Sequence, residues 1–259
     1  MKIATFNING IGARLPRLLE WLEETKPDVA CLQELKAPDE RFPEMEIRAA
    51  GYSAIWHGQK SWNGVAILAR EGLDLVETQR GLPNDPDPSH SRYIEAAVGG
   101  VIVGGLYLPN GNPQPGPKFD YKLAWFEALL ERAQTLFASE QPVVLAGDWN
   151  VIPTDHKDDI WDARRMADDA LSQPESRAAF RRLIHAGWTD AIRAIHPRGP
   201  VYTFWDYTMN AWARDAGFRI DHLLLSPAAA DRLADAGVDR DTRGKEKASD
   251  HAPVWAVLR

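Results

Sequence analysis

The chain has 259 residues, 44% hydrophobic and 26% charged, which suits one large α/β domain with its own core and argues against a disordered or fibrous protein. No run of about 18 apolar residues is available to span a bilayer, and no basic stretch leads into an apolar leader at the start, so a cytoplasmic protein outside the membrane is expected. The net charge of −7 weighs against a polyanionic partner, unless cations gather locally or a bound divalent ion reverses the field.

In chain order, β-branched runs closed by polar or turn residues predict strands, and 3.6-residue spacing predicts helices. A strand at 3–6 precedes a helix carrying Leu15, Leu18, Leu19 and Leu22, and a strand at 29–32 contains the single cysteine. Cys31 reads as a buried thiol of a reducing compartment. Strands at 52–56, 65–68, 93–98 and 101–108 follow one another with no helix between them, which implies antiparallel neighbours. Trp62, before Asn63-Gly64 in an expected hairpin, reads as a packed strand residue. The proline-rich stretches 81–92 and 109–117 read as surface loops. A helix carrying Leu123, Phe126, Leu129, Leu130 and Ala133 leads to a strand at 143–146. Helical patterns at 175–186 and 227–236 flank a strand at 220–225, and a last strand covers 254–258. No repeat or linker interrupts the chain, so residues 1–259 are expected to form one domain, most simply two β-sheets packed face to face with helices outside.

Polar residues able to bind metal or move protons stand just past one strand after another: Asn7, Glu34, Tyr107, Asp148 with Asn150, Asp221, and Asp250 with His251. Singly each has an ordinary explanation: a turn residue for Asn7, a cap for Asp148 or Asp250, packing for Tyr107, a structural imidazole for His251. Together they supply what metal-assisted phosphoryl transfer requires. A hard cation such as Mg²⁺ takes one or two carboxylates and keeps waters, a task for Glu34 and Asp250. Water must be oriented or deprotonated and the phosphoryl oxygens need donors, tasks for Asp148, Asn150 and His251, with Asp221 fixing the imidazole tautomer. No phosphate loop, nucleophile elbow or zinc-binding histidine pattern competes.

The segments LQE (32–34), WNGVAIL (62–68), LYLPNG (106–111), GDWN (147–150), YTFWDY (202–207), RIDHLL (219–224) and SDHAPV (249–254) resemble, in order and spacing from Lys2 to Leu258, the exonuclease III family of abasic-site DNA endonucleases. That resemblance implies a four-layered α/β sandwich, two mixed, mainly antiparallel sheets with helices on the outer faces. It also implies a Mg²⁺-dependent enzyme, Mn²⁺ substituting, that acts as a monomer on double-stranded DNA, cutting 5′ to abasic sites and trimming 3′ ends. By motif, Asn7, Glu34 and Asp250 match the metal set, and Asp148 with Asn150 the pair that orients and activates water. Tyr107 and Asn110 match groups near the scissile phosphate, and Asp221 with His251 the pair that steadies developing charge. Phe204, Phe218 and Ile220 match the pocket for an extruded sugar. The acidic stretch 154–173 and the loop 111–117 resemble the family poorly. Arg240, Arg243, Lys245 and Lys247 are the local cations offered against the overall negative charge. Two other readings stay open: a phosphoesterase acting on a lipid or inositol phosphate, and a catalytically silent relative that binds nucleic acid or protein.

Overall fold

A computed structural model describes all 259 residues. Its elements are β1 (Lys2–Asn7), α1 (Ile11–Thr25), β2 (Val29–Gln33), α2 (Glu44–Ala49), β3 (Tyr52–His57), β4 (Val65–Arg70), β5 (Leu75–Arg80), β6 (Tyr93–Val98), β7 (Val101–Tyr107), α3 (Pro117–Ala138), β8 (Val143–Asp148), α4 (Pro174–His185), β9 (Thr189–Asp190), α5 (Ala191–Ile195), β10 (Asp221–Leu225), α6 (Pro227–Ala230), β11 (Leu233–Val238) and β12 (Val254–Leu258).

The strands form two six-stranded sheets, ordered β11-β12-β1-β2-β4-β3 and β5-β6-β7-β8-β10-β9. In both, the third and fourth strands are a parallel pair, β1 with β2 and β7 with β8, and every other pairing is antiparallel. A parallel pair needs a long crossover, and α1 and α3 supply one each. The carboxyl ends of the two parallel pairs therefore carry Asn7, Glu34, Tyr107 and Asp148 at the edge where an open α/β sheet ordinarily binds its ligand.

Strand alternation builds the layers. Ile3, Val29, Cys31 and Ile67 of one sheet meet Ile94, Val103, Val144, Ala146 and Leu223 of the other in a shared core. The opposite faces, Ala4, Phe6, Ala30, Leu32 and Leu68, pack on Leu18, Trp21 and Leu22 of α1. Tyr93, Leu106, Leu145 and Leu224 pack on Trp125, Phe126 and Leu129 of α3 and Phe180 and Leu183 of α4. With both faces covered, the central strands must be apolar throughout, which is why 29–32 and 143–146 carry no polar alternation. Each leucine so buried contributes about 1.5–3 kcal/mol. Helix α1 stops at Thr25 because Lys26 adopts a left-handed φ of 45°, its amide closing on the Leu22 carbonyl, with Pro27 next.

The structure corrects the sequence reading at four places. Residues 227–236 are one helical turn followed by strand β11, because the exposed edge of β12 offers a backbone ladder that outweighs alanine's helix preference. Strand β5, which the sequence reading lacked, is an edge strand whose mostly exposed residues include Glu77, Gln79 and Arg80, a polar composition that blunts a free edge and hides it from pattern reading. Successive strands also do not always pair: β4 and β5 are consecutive but lie in different sheets. Trp62 is 77% exposed at φ 63° in the β3–β4 loop and packs in no strand.

Candidate active site

Asp148 ends β8 and faces Asp221, the first residue of β10, in register. On its other side β8 lies tight against β7 because residue 147 is glycine, since a Cβ there would lie 2.0 Å from the Leu106 carbonyl oxygen. Glu34 and Asn150 both hold positive φ, 53° and 47°, a conformation that costs a non-glycine residue free energy and clusters at functional sites. His251 is fixed by a bridge between its backbone and that of Phe204.

A chain of hydrogen bonds ties these residues together. The Tyr107 hydroxyl donates to Glu34 Oε1 at 2.9 Å. Asn7 Nδ2 donates to the same oxygen at 2.9 Å and to Asp148 Oδ2 at 3.0 Å. Asp148 Oδ2 lies 3.8 Å from His251 Nε2, and His251 Nδ1 lies 2.8 Å from Asp221 Oδ2. Thr203 donates to that Asp221 oxygen at 2.7 Å while accepting from the Ile220 and Asp221 amides. Asp148, Asp221 and His251 are all almost fully buried.

Burial sets the electrostatics. It raises the Asp148 carboxyl well above the usual carboxylate range, helped by the charges of Asp221 and Glu34 and opposed by His251. For His251 burial alone would disfavour the imidazolium, but the charge and hydrogen bond of Asp221, then Asp148 and Asp250, override it and raise the group to about 10. Glu34 is held below its usual range despite burial, by hydrogen bonds from Asn7 and Lys36 and the Lys36 charge. Burial and the charges of Glu34 and Asp148 keep the Tyr107 hydroxyl protonated. A buried acid poised high beside an imidazolium is the arrangement general acid–base chemistry uses.

Two groups of side chains have the chemistry to hold a metal. Ligand atoms of Asp148, Asp221 and His251 all lie within 4.8 Å of one another, but an imidazolium has no lone pair to offer. The second group is made of oxygen donors. The Lys36 ammonium sits 2.8 Å from Glu34 Oε2 and 2.6 Å from Asn9 Oδ1, and Asn9 Nδ2 donates to Asp250 Oδ1 at 2.9 Å. The side-chain cation of Lys36 thus occupies the space between Glu34 and Asn9, where hard oxygen ligands suit Mg²⁺ or Mn²⁺.

Glu34, Tyr107, Asn110, Asp148, Asn150, Asp250 and His251 open into one cavity of about 590 Å³, whose far wall includes Trp161, Met166, Phe204, Phe218 and Ile220. The Phe204 ring stands edge-on to His251 at 4.9 Å and 4.8 Å from Phe218. Asn110 Nδ2 donates to Asn150 Oδ1 at 3.3 Å. All twelve residues singled out from the sequence thus converge: eleven line this cavity or belong to the Asp221–His251 pair, and Asn7 is hydrogen-bonded to Glu34 and Asp148 beneath it.

Charge is distributed otherwise than the sequence suggested. Arg243 is buried on the Trp205 carbonyl, Lys245 pairs with Glu20 and Glu24, and Arg240 pairs with Asp215, so most of the C-terminal basic cluster is occupied internally. Several acids of 154–173 are also engaged: Asp155 with Arg177, Asp159 with Arg193 and Arg219, Asp162 with Arg164. The rim cations are instead Arg214 and Arg165, the latter 3.8 Å from Asp162, and their guanidinium carbons lie 5.1 and 5.2 Å from the Trp161 ring centre. An adjoining groove of about 530 Å³ carries Lys36, His90, Arg92, Lys118 and the exposed Trp62.

Asn9, Lys36 and Thr203 were not singled out from the sequence. Each lies within two residues of one that was, and that proximity was the only available signal; which turn residue faces the site depends on backbone direction.

Residues 4–251 match the Endonuclease/Exonuclease/phosphatase family. An exodeoxyribonuclease III from Haemophilus influenzae is 34% identical, with full coverage of both chains. Among solved structures, a 3′ phosphatase from Neisseria bound to a product DNA hairpin is 39% identical with a TM-score of 0.93. An AP endonuclease from Archaeoglobus fulgidus is 35% identical, also at 0.93; both alignments cover 100% of this chain and 99% of the other. A four-layered sandwich with this carboxylate–imidazole cluster at the ends of its parallel strands, matched over its whole length by these relatives, belongs to the endonuclease/exonuclease/phosphatase family and within it to the exonuclease III group.

Proposed function

We propose that this protein is a metal-dependent DNA repair nuclease that hydrolyses the phosphodiester 5′ to abasic sites and removes nucleotides or blocking groups from 3′ ends, with Mg²⁺ as its ion and Mn²⁺ able to replace it. The observation that carries the reading is the buried Asp148–His251–Asp221 line opening beside the aromatic wall of Phe204 and Phe218. Relatives named as an exodeoxyribonuclease III, a 3′ phosphatase and an AP endonuclease support it. No helix is long and apolar enough to cross a membrane. A cytoplasmic enzyme acting as a monomer is part of the same proposal.

Glu34 and Asp250, with Asn7 and Asn9 behind them, would hold the ion once Lys36 swings aside. Bound there, it supplies positive charge to the phosphate and its leaving oxygen. Asp148, its carboxyl raised by burial, takes the proton of the attacking water, and Asn150 aligns that water. The His251 imidazolium, locked through Nδ1 to Asp221, presents Nε2–H to the phosphoryl oxygen as negative charge grows. Tyr107 and Asn110 flank the phosphate, and Phe204, Phe218 and Ile220 line the pocket for a sugar without its base. Arg165 and Arg214 face flanking backbone phosphates, so a chain of net charge −7 meets DNA with a locally positive rim.

The purified protein is incubated with a duplex containing one tetrahydrofuran abasic analogue, beside a phosphoinositide, with Mg²⁺ or EDTA. Incision 5′ to the analogue, abolished by EDTA and restored by added Mg²⁺, is expected. Turnover of the lipid alone would overturn the reading in favour of a lipid phosphoesterase.

A further inference from the structure

Lys122, on α3, is fully buried, although a lysine is seldom buried without a dedicated partner. Its ammonium donates to the backbone carbonyls of Asn110 at 3.0 Å and Asn150 at 2.5 Å, and neither carbonyl receives a backbone donor. These are the two asparagines whose side chains meet at 3.3 Å in the cavity, and they lie on the separate loops that follow β7 and β8. Gly111 shows how closely that loop lies on the lysine stem: at φ 90°, a Cβ there would be 2.6 Å from Lys122 Cδ. Burial lowers Lys122 to about 7, while Asp169 and Asp148 act to keep it charged. Carrying a charge to this depth opposes stability, and an apolar residue of similar length would fill the space at lower cost.

We infer that Lys122 is a positioning residue for the reaction: by bridging the carbonyls of Asn110 and Asn150 it holds the two site loops in register, so that the two side-chain amides face the reacting phosphate and water together. The inference rests on the nuclease reading above for its kinetic part alone. Without the bridge both carbonyls lose their donor, and the Asn150 backbone, at positive φ, loses part of what holds it there.

The test is Lys122→Met beside Lys122→Arg, Asn150→Ala and the Lys122→Met/Asn150→Ala double variant, assayed on the abasic duplex. Lys122→Met is expected to lower kcat by about 10- to 100-fold, the cost of misplacing reacting groups by about an ångström, with KM changed less than about three-fold. Lys122→Arg is expected to restore at least about a third of the activity, and the double variant to lose clearly less than the product of the two single losses, because the part of the Lys122 effect that acts through the Asn150 side chain is gone while only the part through Asn110 remains. A folded Lys122→Met with wild-type kcat, or losses that multiply in the double variant, would overturn the inference. Should Lys122→Met not fold, Lys122→Gln replaces it, with kcat lowered at least about five-fold expected and a kcat within two-fold of wild type overturning the inference. The side-chain amide resonances of Asn110 and Asn150, read by NMR without substrate, should shift in the folded variant; if they do not, the bridge has no positioning role whatever the enzyme cuts.

Discussion

Replacing Asp221 by asparagine keeps the shape of the His251 partner and removes its charge. The Nδ1–Oδ2 separation is 2.8 Å, and Coulomb attraction at that distance in an effective dielectric of about 20 is about 6 kcal/mol, roughly four pKa units. That is the scale of the rise of His251 to about 10. His251 has a raised folded pKa, so its protonated form, and the activity it supports, is present at low pH and is lost as pH rises through about 10. In Asp221→Asn burial acts with less opposition, and the loss should move to near or below the ordinary imidazole value of about 6.5. At pH 8.5 the protonated fraction then falls to about 1%, and the rate by about 10²-fold. The acid limb, which follows the raised Asp148 carboxyl losing its proton as pH rises, should shift as well, since Asp148 loses the raising charge of Asp221 and, where the imidazole is neutral, the lowering charge of His251. Single-turnover incision of the abasic duplex from pH 5.5 to 10.5 separates the two limbs. An alkaline limb at the same pH in wild type and variant would show that Asp221 does not hold the proton on His251 and that the charge assignment is wrong.

Asp148→Asn and His251→Asn should each lower turnover by about 10²-fold or more while leaving duplex affinity within a few-fold, read by filter binding in Ca²⁺; full activity in both would place the chemistry elsewhere. Arg165→Ala and Arg214→Ala should raise KM at nearly constant kcat and lower the slope of log affinity against log salt by about one each. Unchanged slopes would take the DNA off that rim. Gly147→Ala should cost about 3 kcal/mol or more in urea unfolding, because the added methyl meets the Leu106 backbone rather than a yielding side chain. A wild-type midpoint would mean the β7–β8 pair tolerates separation.

Much of this molecule could be read from the amino acids because its constraints are local. The runs at 29–32 and 143–146 are apolar without alternation, as strands covered on both faces must be, and the residues that enter the site, Glu34 and Asp148, stand two positions past their ends. Leu18 and Leu22 face one layer because helical periodicity leaves no other choice. Where signals were weak the reading failed: β5 looks like a polar loop until its neighbour is known, and 227–236 look helical until the edge of β12 is seen. The basic cluster at 240–247 and the acidic stretch at 154–173 misled for the same reason, since charge in a sequence is counted before its partners are known.

The amino acids alone determined which side chains end the strands, and hence the inventory of carboxylates, amides and one imidazole from which a site could be made. Tertiary structure decided their relations: that Asp148 faces Asp221 across an antiparallel ladder, that Asn9 and Lys36 link Glu34 to Asp250, and that one buried lysine joins the loops after β7 and β8. The physical reason is range. Propensity and periodicity act over a few residues, whereas desolvation and Coulomb attraction act between groups that only the packing of two sheets brings within 3–4 Å, and those terms set the protonation states on which the chemistry depends.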